Sequence, residues 1–284
     1  MTRLSSGSRI NSASDDAAGV AIASRLSSEF RGTDQAIRNA LDGQALIDTA
    51  EGGHKETEAI LQRMREIAVQ ASNDTNSSDD RKNLQTEMDA LVEEIDRIAH
   101  VTTWANNSVM DGDGSVDSTK TFSLQVGSAT GTKNQIEVSI KSLTAGTLNL
   151  RGTSDRSFIL VVQDTDYTST IHNKSVDADG DGTTGNDTAV DNSLKSISVI
   201  DAAIKTVNTQ RSELGAVSNR LSHTVANLTN ISANLSSAKG GIEDADFALE
   251  TTNLAKNQIL QRASTAMLAQ ANASKQNVLS LLQR

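Results

Sequence analysis

The last third of the chain carries the most regular apolar pattern in the sequence. Apolar residues recur there every three or four positions, and the polar pair Gln210-Arg211 interrupts the series. Its members are Leu194, Ile197, Ile200, Ile204, Val207, Leu214, Val217, Leu221, Val225, Leu228, Ile231 and Leu235. This spacing is the heptad pattern of a helix that packs against partner helices. It predicts a helix over about 193–239, roughly 70 Å long, which ends at Gly240-Gly241.

A second apolar periodicity runs through the N-terminal part. It follows residues 1–16, whose Ser, Asn and Asp content predicts a loop or extended arm. From residue 17 to about residue 72, apolar positions step along one face of a helix. Gly43 and the pair Gly52-Gly53 interrupt this pattern. Since glycine lowers helix propensity, we expect these positions to bend or break the helix.

Between the helical ends, the period changes to simple alternation. A turn at 73–80 and a second helix that ends near Thr102 come first. Residues 122–126 and 136–140 then alternate apolar and polar side chains around a linker rich in Gly and Thr, which predicts a β-hairpin. Residues 158–163 are a further strand candidate.

The two ends of the chain must cover each other, because neither apolar helical face is stable in water. The predicted fold is therefore mainly α with a smaller β-rich part. It is a long antiparallel helical rod or coiled-coil bundle from both chain ends, with a β-hairpin and a small variable outer domain in the middle. The predicted divisions are an extended arm (1–16), an N-terminal helical rod with the hairpin (17–141), a variable surface-exposed domain (142–190), a C-terminal rod helix (191–241) and a last helix (242–284).

Composition restricts the compatible classes of function. The 284 residues carry a formal net charge of −10, contain no cysteine or proline, and include only 2% aromatic residues. An acidic chain lacks the basic surface that nucleic acid and anionic membranes require. The absence of cysteine excludes thiolate metal sites and disulfides, and scarce aromatics are atypical of an enzyme pocket. No apolar stretch is long enough to predict a membrane span.

An acidic segment at 176–192 resembles the start of a calcium-binding loop. The predicted ligands are Asp177, Asp179, Asp181, Thr183 through its backbone carbonyl, and Asp187. The first three take positions 1, 3 and 5 of such a loop, but the glutamate usual at position 12 is absent. A solvated surface loop rich in Asp and Gly is the alternative interpretation. No cofactor is required by any pattern in the chain.

The histidines give no indication of catalysis. His54, His100, His172 and His223 are isolated from one another in the sequence. The zinc-peptidase pattern HExxH, the hydrolase pattern GxSxG and the phosphate-binding pattern GxxxxGK[ST] are all absent. We therefore expect surface histidines without a catalytic role and a chain that is not an enzyme.

Segments at both ends of the chain resemble bacterial flagellins. Those in the first half are RLSSGSRINSASDDAAGVAIASR (3–25), LQRMREIAVQASND (61–74), LQTEMDALVEEIDRIA (84–99) and FSLQVG (122–127). Those near the other end are TQRSELGAVSNRL (209–221), IEDADFALE (242–250), QILQRASTAMLAQAN (258–272) and NVLSLLQR (277–284). Because these segments are long and keep their order, the chain is identified as a member of this family.

The resemblance implies a structural role. Flagellins leave the cell unfolded through the flagellar type III export channel and polymerise into a hollow extracellular filament that serves as a propeller. Their terminal helices line an inner tube, so 242–284 is the expected inner-tube helix and the expected site for an export chaperone. Family members usually carry a further segment before the RLSSG block. The chain is therefore expected to be an N-terminally truncated form.

The same resemblance implies a receptor-binding patch. Arg63, Ile67 and Glu87 match the positions by which the flagellin-sensing Toll-like receptor binds many flagellins. Arg63 and Ile67 stand four residues apart, which places them on one face of the predicted helix. Packing of this surface against neighbouring subunits is the alternative interpretation, and both can hold together.

Two other functions remain as alternatives to the filament subunit. One is a flagellin-like cell-surface adhesin or ligand-binding protein, which would use residues 142–190. The other is a filament-junction protein, which shares the terminal segments. Within the rod, we expect Leu221 and Leu228 to pack against the helices at 54–72 and 84–102.

Overall fold

The computed structural model describes residues 2–73, 75–111, 119–150 and 189–282, and these form five helices, two antiparallel strand pairs and a short 3-10 turn. The helices are α1 (Thr2–Ser6), α2 (Ala17–Ala71), α3 (Ser78–Val101), α4 (Ala189–Glu243) and α5 (Phe247–Leu282). The strands are β1 (Thr103–Trp104), β2 (Asn107–Ser108), β3 (Thr119–Gln125) and β4 (Gln135–Lys141). This architecture confirms the predicted fold class, helical ends with a small β middle.

The chain divides into two compact units. Unit 1 consists of residues 1–34 and 228–284, and unit 2 of residues 35–227. Helices α2 and α4 contribute residues to both units. The five-part division made from the sequence stays a prediction, except at its boundary at residue 142, which the packing of unit 2 corrects below.

Within unit 2, α2 and α4 run antiparallel. The side-chain amide of Gln44 donates to Ser222 Oγ at 2.7 Å, and the guanidinium of Arg65 donates to Asp201 at 2.7 Å. Later residues of α2 therefore meet earlier residues of α4. This register brings the apolar stripes of both helices together, which removes them from water.

Leu221 lies against a different part of α2 from the one that the sequence analysis predicted. It is fully buried and belongs to the unit 2 core. Its neighbour Ser222 bonds Gln44, so Leu221 lies against the first half of α2 and not against residues 54–72. Leu228 is also buried, but it belongs to unit 1. The predicted packing of Leu221 against residues 54–72 is therefore wrong, and the packing predicted for Leu228 stays a prediction.

Helix α4 confirms the predicted heptad helix. Four apolar residues at seven-residue intervals are each at most 1% exposed: Ile200, Val207, Leu214 and Leu221. Helix α3 adds a second buried stripe, formed by Met88, Val92, Ile95 and Ala99. The glycine pair at 240–241 does not end α4, which continues to Glu243.

The predicted β-hairpin is present as β3 and β4, with Phe122 opposite Val138. Alternate residues of β4 are buried in the same core as the helices, which explains the sequence alternation. The chain after β4 stays in that core, because Leu143, Ala145, Leu148 and Leu150 are buried. The variable surface domain therefore does not begin at residue 142, and residues 142–150 belong to the packed core.

The glycines of α2 do not break the helix, which runs without interruption from Ala17 to Ala71. A Cβ at Gly43 would overlap Leu124 Cδ1, and one at Gly53 would overlap Met110 Sδ. These glycines therefore let the β-rich part approach the helix backbone closely. The break that we expected from propensity is absent, because packing on α2 compensates for the low helix propensity of glycine.

Candidate functional site

The most unusual surface of the described residues is a row of large apolar side chains on α5. Its members, the α5 apolar face, are Phe247, Leu249, Ile259, Leu260, Met267 and Leu268, each at least 52% exposed. Single exposed apolar residues are ordinary, but six large ones along a helix that is exposed over most of its length indicate a surface that binds something. No helix in the described parts combines the length and apolar content needed to cross a bilayer.

Polar contacts at its first turn fix where α5 begins. The carboxylate of Asp246 accepts hydrogen bonds from the backbone N–H groups of Ala248 at 2.9 Å and Leu249 at 3.2 Å. These N–H groups have no partner inside the helix, so the carboxylate supplies their hydrogen-bond acceptor. Its negative charge also interacts favourably with the positive end of the helix dipole. The sequence analysis did not identify this cap, although an Asp just before an apolar stretch is the usual signal.

The N-terminal segment holds the start of α5 in unit 1. Residues 2–6, predicted as part of a loop or extended arm, instead form the short helix α1. Arg3 of α1 pairs with Glu250 of α5 at 3.1 Å. The backbone N–H of Ala245 donates to the Gly7 carbonyl at 2.9 Å, next to an isolated β-bridge between Ser8 and Asp244.

Arg9 ties the same segment to the end of α4. Its guanidinium donates to the carbonyl of Ile242 at 2.9 Å, and its backbone N–H donates to the carbonyl of Glu243 at 2.6 Å. Carbonyls in the last turn of a helix have no intrahelical partner, so a cation there stabilises the end of the helix. Pattern analysis could not find this contact, because it joins residues more than 230 positions apart.

The three predicted receptor-patch residues do not form one surface. Arg63 is half exposed and bonds Glu87 of α3 at 2.8 Å and Glu66 at 3.0 Å. The hydrogen bond that Arg63 donates to Glu87, followed by the one that it donates to Glu66, raises the pKa of the Arg63 guanidinium. Ile67 is fully buried in the unit 2 core. The prediction that Ile67 shares a surface with Arg63 is wrong, because neighbouring elements cover α2 on that side.

The histidines of the described residues do not form a catalytic group. His54 is fully buried, so the prediction of a surface position is wrong for it. His100 is exposed, with Nδ1 2.6 Å from the Asp96 carbonyl and Nε2 3.3 Å from Asp111. His223 is exposed on α4. Among the described residues, no cluster of three or more His, Asp or Glu side chains could hold a metal ion.

The remaining predicted sites lie outside the described residues. They are the five calcium-loop residues Asp177, Asp179, Asp181, Thr183 and Asp187, the strand candidate at 158–163, and His172. The site that the structure does define is therefore the α5 apolar face, together with the contacts that fix the start of α5.

Two family models match this chain. The model of the bacterial flagellin N-terminal helical region matches residues 1–115, and that of the bacterial flagellin C-terminal helical region matches residues 197–282. Together they cover α1 to β2, most of α4 and all of α5.

Similar proteins include flagellins from several bacteria. The chain is 42% identical to a flagellin of Bacillus subtilis (strain 168), covering 99% of this chain and 91% of that protein. It is 41% identical to a flagellin of Halalkalibacterium halodurans, covering 99% and 90%. A solved structure from Vibrio parahaemolyticus, provisionally assigned as a flagellar hook-associated protein, covers 81% of this chain and all of that one, with a TM-score of 0.58 at 14% identity. At that identity the likeness concerns the fold alone.

Proposed function

This chain belongs to the bacterial flagellin family, and we propose that the α5 apolar face is the surface through which its copies join. The protein is a structural subunit of the extracellular flagellar filament, it serves swimming motility, and it is not an enzyme. Self-polymerisation is the activity of this family. A polymerising subunit needs apolar surface that is exposed in the monomer and buried in the polymer.

The exposure of α5 carries this proposal. Its six large apolar side chains lie in the solvent, although the chain buries equally large residues on α4. Exposed apolar surface on this scale is costly to keep in water, and burial against another copy recovers about 25 cal/mol per Å². We propose that a second copy of the chain covers the α5 apolar face, because members of this family polymerise with copies of themselves.

A paired substitution tests the assembly surface. We expect Leu260→Asp to weaken or abolish polymerisation, since a buried charge without a partner is strongly unfavourable. The control is Gln261→Asp, which adds the same charge at the neighbouring exposed polar residue and leaves all six apolar side chains in place. Sedimentation and electron microscopy in sulfate, which strengthens apolar association, would compare both with the wild type. Equal polymer yields from all three chains would contradict the proposal.

We also propose that an export chaperone binds the C-terminal helix before assembly. The argument is the same apolar exposure: a surface intended for another copy must be covered inside the cell to avoid premature association. Titration calorimetry with the cognate chaperone would test this idea. The Leu260→Asp chain should bind more weakly than the Gln261→Asp chain.

Receptor recognition is a further proposal, restricted to Arg63 and Glu87. Both side chains are exposed and joined by an ion pair, which supports a polar surface patch but excludes a direct contribution from Ile67. We expect Arg63→Ala to reduce activation of cells that carry the flagellin-sensing Toll-like receptor. Arg65→Ala is the matched control, because Arg65 is a similarly exposed arginine of α2 that also pairs with a carboxylate. An equal response to both variants would contradict the proposal.

Calcium binding at 177–187 rests on the sequence spacing alone. We propose that Asp177, Asp179 and Asp181 share one hard cation, which relieves the repulsion among closely spaced carboxylates. Calorimetry at millimolar calcium would compare the wild type with an Asp179→Ala, Asp181→Ala double variant. Equal heats from both chains would favour the plain acidic loop.

A further inference from the structure

A layer of polar side chains crosses the otherwise apolar core of unit 2. His54 of α2 is fully buried, and Gln210 of α4 is 1% exposed. Gln210 stands seven residues after Ala203, which is also buried, so it occupies a core position of the α4 heptad pattern. The sequence shows Gln210-Arg211 as a polar interruption, but α4 continues through it as regular helix.

Arg211 of α4 forms ion pairs with α2 near His54. Its guanidinium pairs with Glu51 at 3.5 Å and also with Glu58, both on α2. His54 lies three residues after Glu51 and four before Glu58, so all three occupy one face of α2. His54 therefore faces the Arg211 side of α4. We call His54, Gln210 and Arg211 the His54 layer.

The His54 layer contains unmatched polar atoms. Both ring nitrogens of His54, the Oε1 atom of Gln210 and the Nε atom of Arg211 are buried without a hydrogen-bond partner among the described residues. Gln210 uses its side-chain N–H group to bond the Ser139 carbonyl of β4 at 3.0 Å. Buried polar atoms without partners are rare in proteins, because each costs free energy on folding.

The burial of His54 opposes protonation of its ring. Burial, with a smaller contribution from the positive charge of Arg211, lowers the pKa of His54 to about 4, although the Ala50 carbonyl one turn earlier, which lies outside hydrogen-bond geometry, partly opposes this lowering. The segment after α3 places Thr102 and Met110 against Gly53, beside His54, and neither carries a titrating group. A proton on His54 would add a second cation to this layer.

We propose that the His54 layer is an acid-responsive device in the core of unit 2, closed while the His54 ring is neutral and opened when that ring takes up a proton. The folded chain keeps the ring dry and uncharged between α2 and α4. The unfolded chain exposes the same ring to water, where nothing prevents protonation. Acid therefore favours separation of the helices at this layer.

The direction of the pH effect follows from linkage. The pKa of His54 is lower in the folded state than the ordinary value of 6.5. The stabilisation that depends on a neutral His54 is therefore complete above about pH 6.5 and is lost as the pH falls towards about 4. Within that window, this one group changes the unfolding equilibrium constant by about tenfold per pH unit.

Denaturant unfolding of the full chain at several pH values tests the proposal. The fluorescence of Trp104, which packs on the unit 2 core, reports on unit 2. The comparison uses His54→Leu, which cannot be protonated, and the control His223→Leu, which changes an exposed histidine of α4. Between pH 6 and about pH 4.5, the unfolding constant of the wild type should rise about tenfold per pH unit relative to that of His54→Leu. The His223→Leu chain should follow the wild type.

Parallel pH profiles for the wild type and His54→Leu would overturn the proposal. If His54→Leu does not fold, the wild-type chain still decides the question by NMR. The His54 ring signals of the folded chain should stay unchanged from pH 7 to about pH 5, because its pKa is about 4. Titration of the folded ring near its ordinary value of 6.5 would show an accessible ring and would reject the device.

Discussion

Helices α4 and α5 follow one another in the chain and carry similar apolar residues, but these residues differ in their exposure to solvent. On α4, Ile200, Val207, Leu214 and Leu221 are almost completely buried. On α5, Ile259, Leu260, Met267 and Leu268 are more than half exposed. Hydrophobic spacing therefore tells which face of a helix needs a partner, but not whether that partner belongs to the same chain.

This difference corresponds to two requirements of a filament subunit, a core that keeps each copy folded and a surface that joins the copies. Unit 2 buries its apolar stripes internally, because α2, α3, α4 and the hairpin share one core. The α5 apolar face remains exposed, which suits a surface that gains its burial on assembly. One consequence is that substitutions on the two helices should affect different measurements.

The largest contrast is expected between Leu221→Ala and Leu260→Ala. Leu221 is fully buried in unit 2, so its truncation should lower the free energy of unfolding by about 2–5 kcal/mol. Leu260 is half exposed, and its truncation should change that free energy by less than about 0.5 kcal/mol. Denaturant unfolding followed by far-ultraviolet circular dichroism, which reports on the helices of both units, would measure both variants.

Equal losses from the two variants would break the comparison. Such a result would mean that Leu260 is already buried in the free chain. Sedimentation gives the complementary measurement, because Leu260→Ala should weaken polymerisation while the folded Leu221→Ala chain keeps its α5 apolar face intact.

The sequence predicted the features that depend on local periodicity. The heptad spacing on α4 identified its buried stripe, and the alternation at Ile136, Val138 and Ile140 identified β4, because side-chain direction follows directly from helix and strand geometry. The family resemblance supplied the function. Neither required knowledge of which elements meet.

The sequence failed where contacts between distant elements decide the result. Ile67 looked surface-exposed beside Arg63, but packing buries it in the unit 2 core. Residues 142–150 looked like the start of a variable domain, but the Ala145 backbone N–H bonds Asp96 of α3 at 2.7 Å and holds the segment in the core. The periodicity of apolar residues in one segment carries no information about contacts with distant segments. The fate of α5 could not be derived for the same reason.

A smaller contrast is expected between neighbouring glycines of α2. A Cβ at Gly53 would overlap Met110, which is fully buried and has little room to move, whereas a Cβ at Gly52 meets nothing within 4 Å. Gly52→Ala should raise the free energy of unfolding by about 1 kcal/mol through helix propensity. Gly53→Ala should lower it by about 1 kcal/mol, because overpacking outweighs that gain.

Unfolding curves of the two alanine variants would measure these opposite signs. If Gly53→Ala stabilised the chain as much as Gly52→Ala, then close packing of Met110 would not be the reason for a glycine at residue 53. The control is internal, since both substitutions make the same chemical change one residue apart on one helix.

The smallest contrast is expected between the N-terminal caps of α3 and α5. Ser77 accepts a hydrogen bond from the Asp80 backbone N–H at 3.2 Å, and the Asp80 carboxylate bonds Ser77 in return, which forms a capping box. Because α3 is packed in the unit 2 core, Ser77→Ala should lower the free energy of unfolding by about 1 kcal/mol. Asp246 caps α5 in unit 1, so Asp246→Ala should leave the Trp104-detected midpoint of unit 2 unchanged. Hydrogen exchange should instead show loss of protection at the Ala248 and Leu249 amides of α5. A shift of the unit 2 midpoint by Asp246→Ala would mean that the start of α5 and the unit 2 core unfold together, and the two helices would then not be energetically separate.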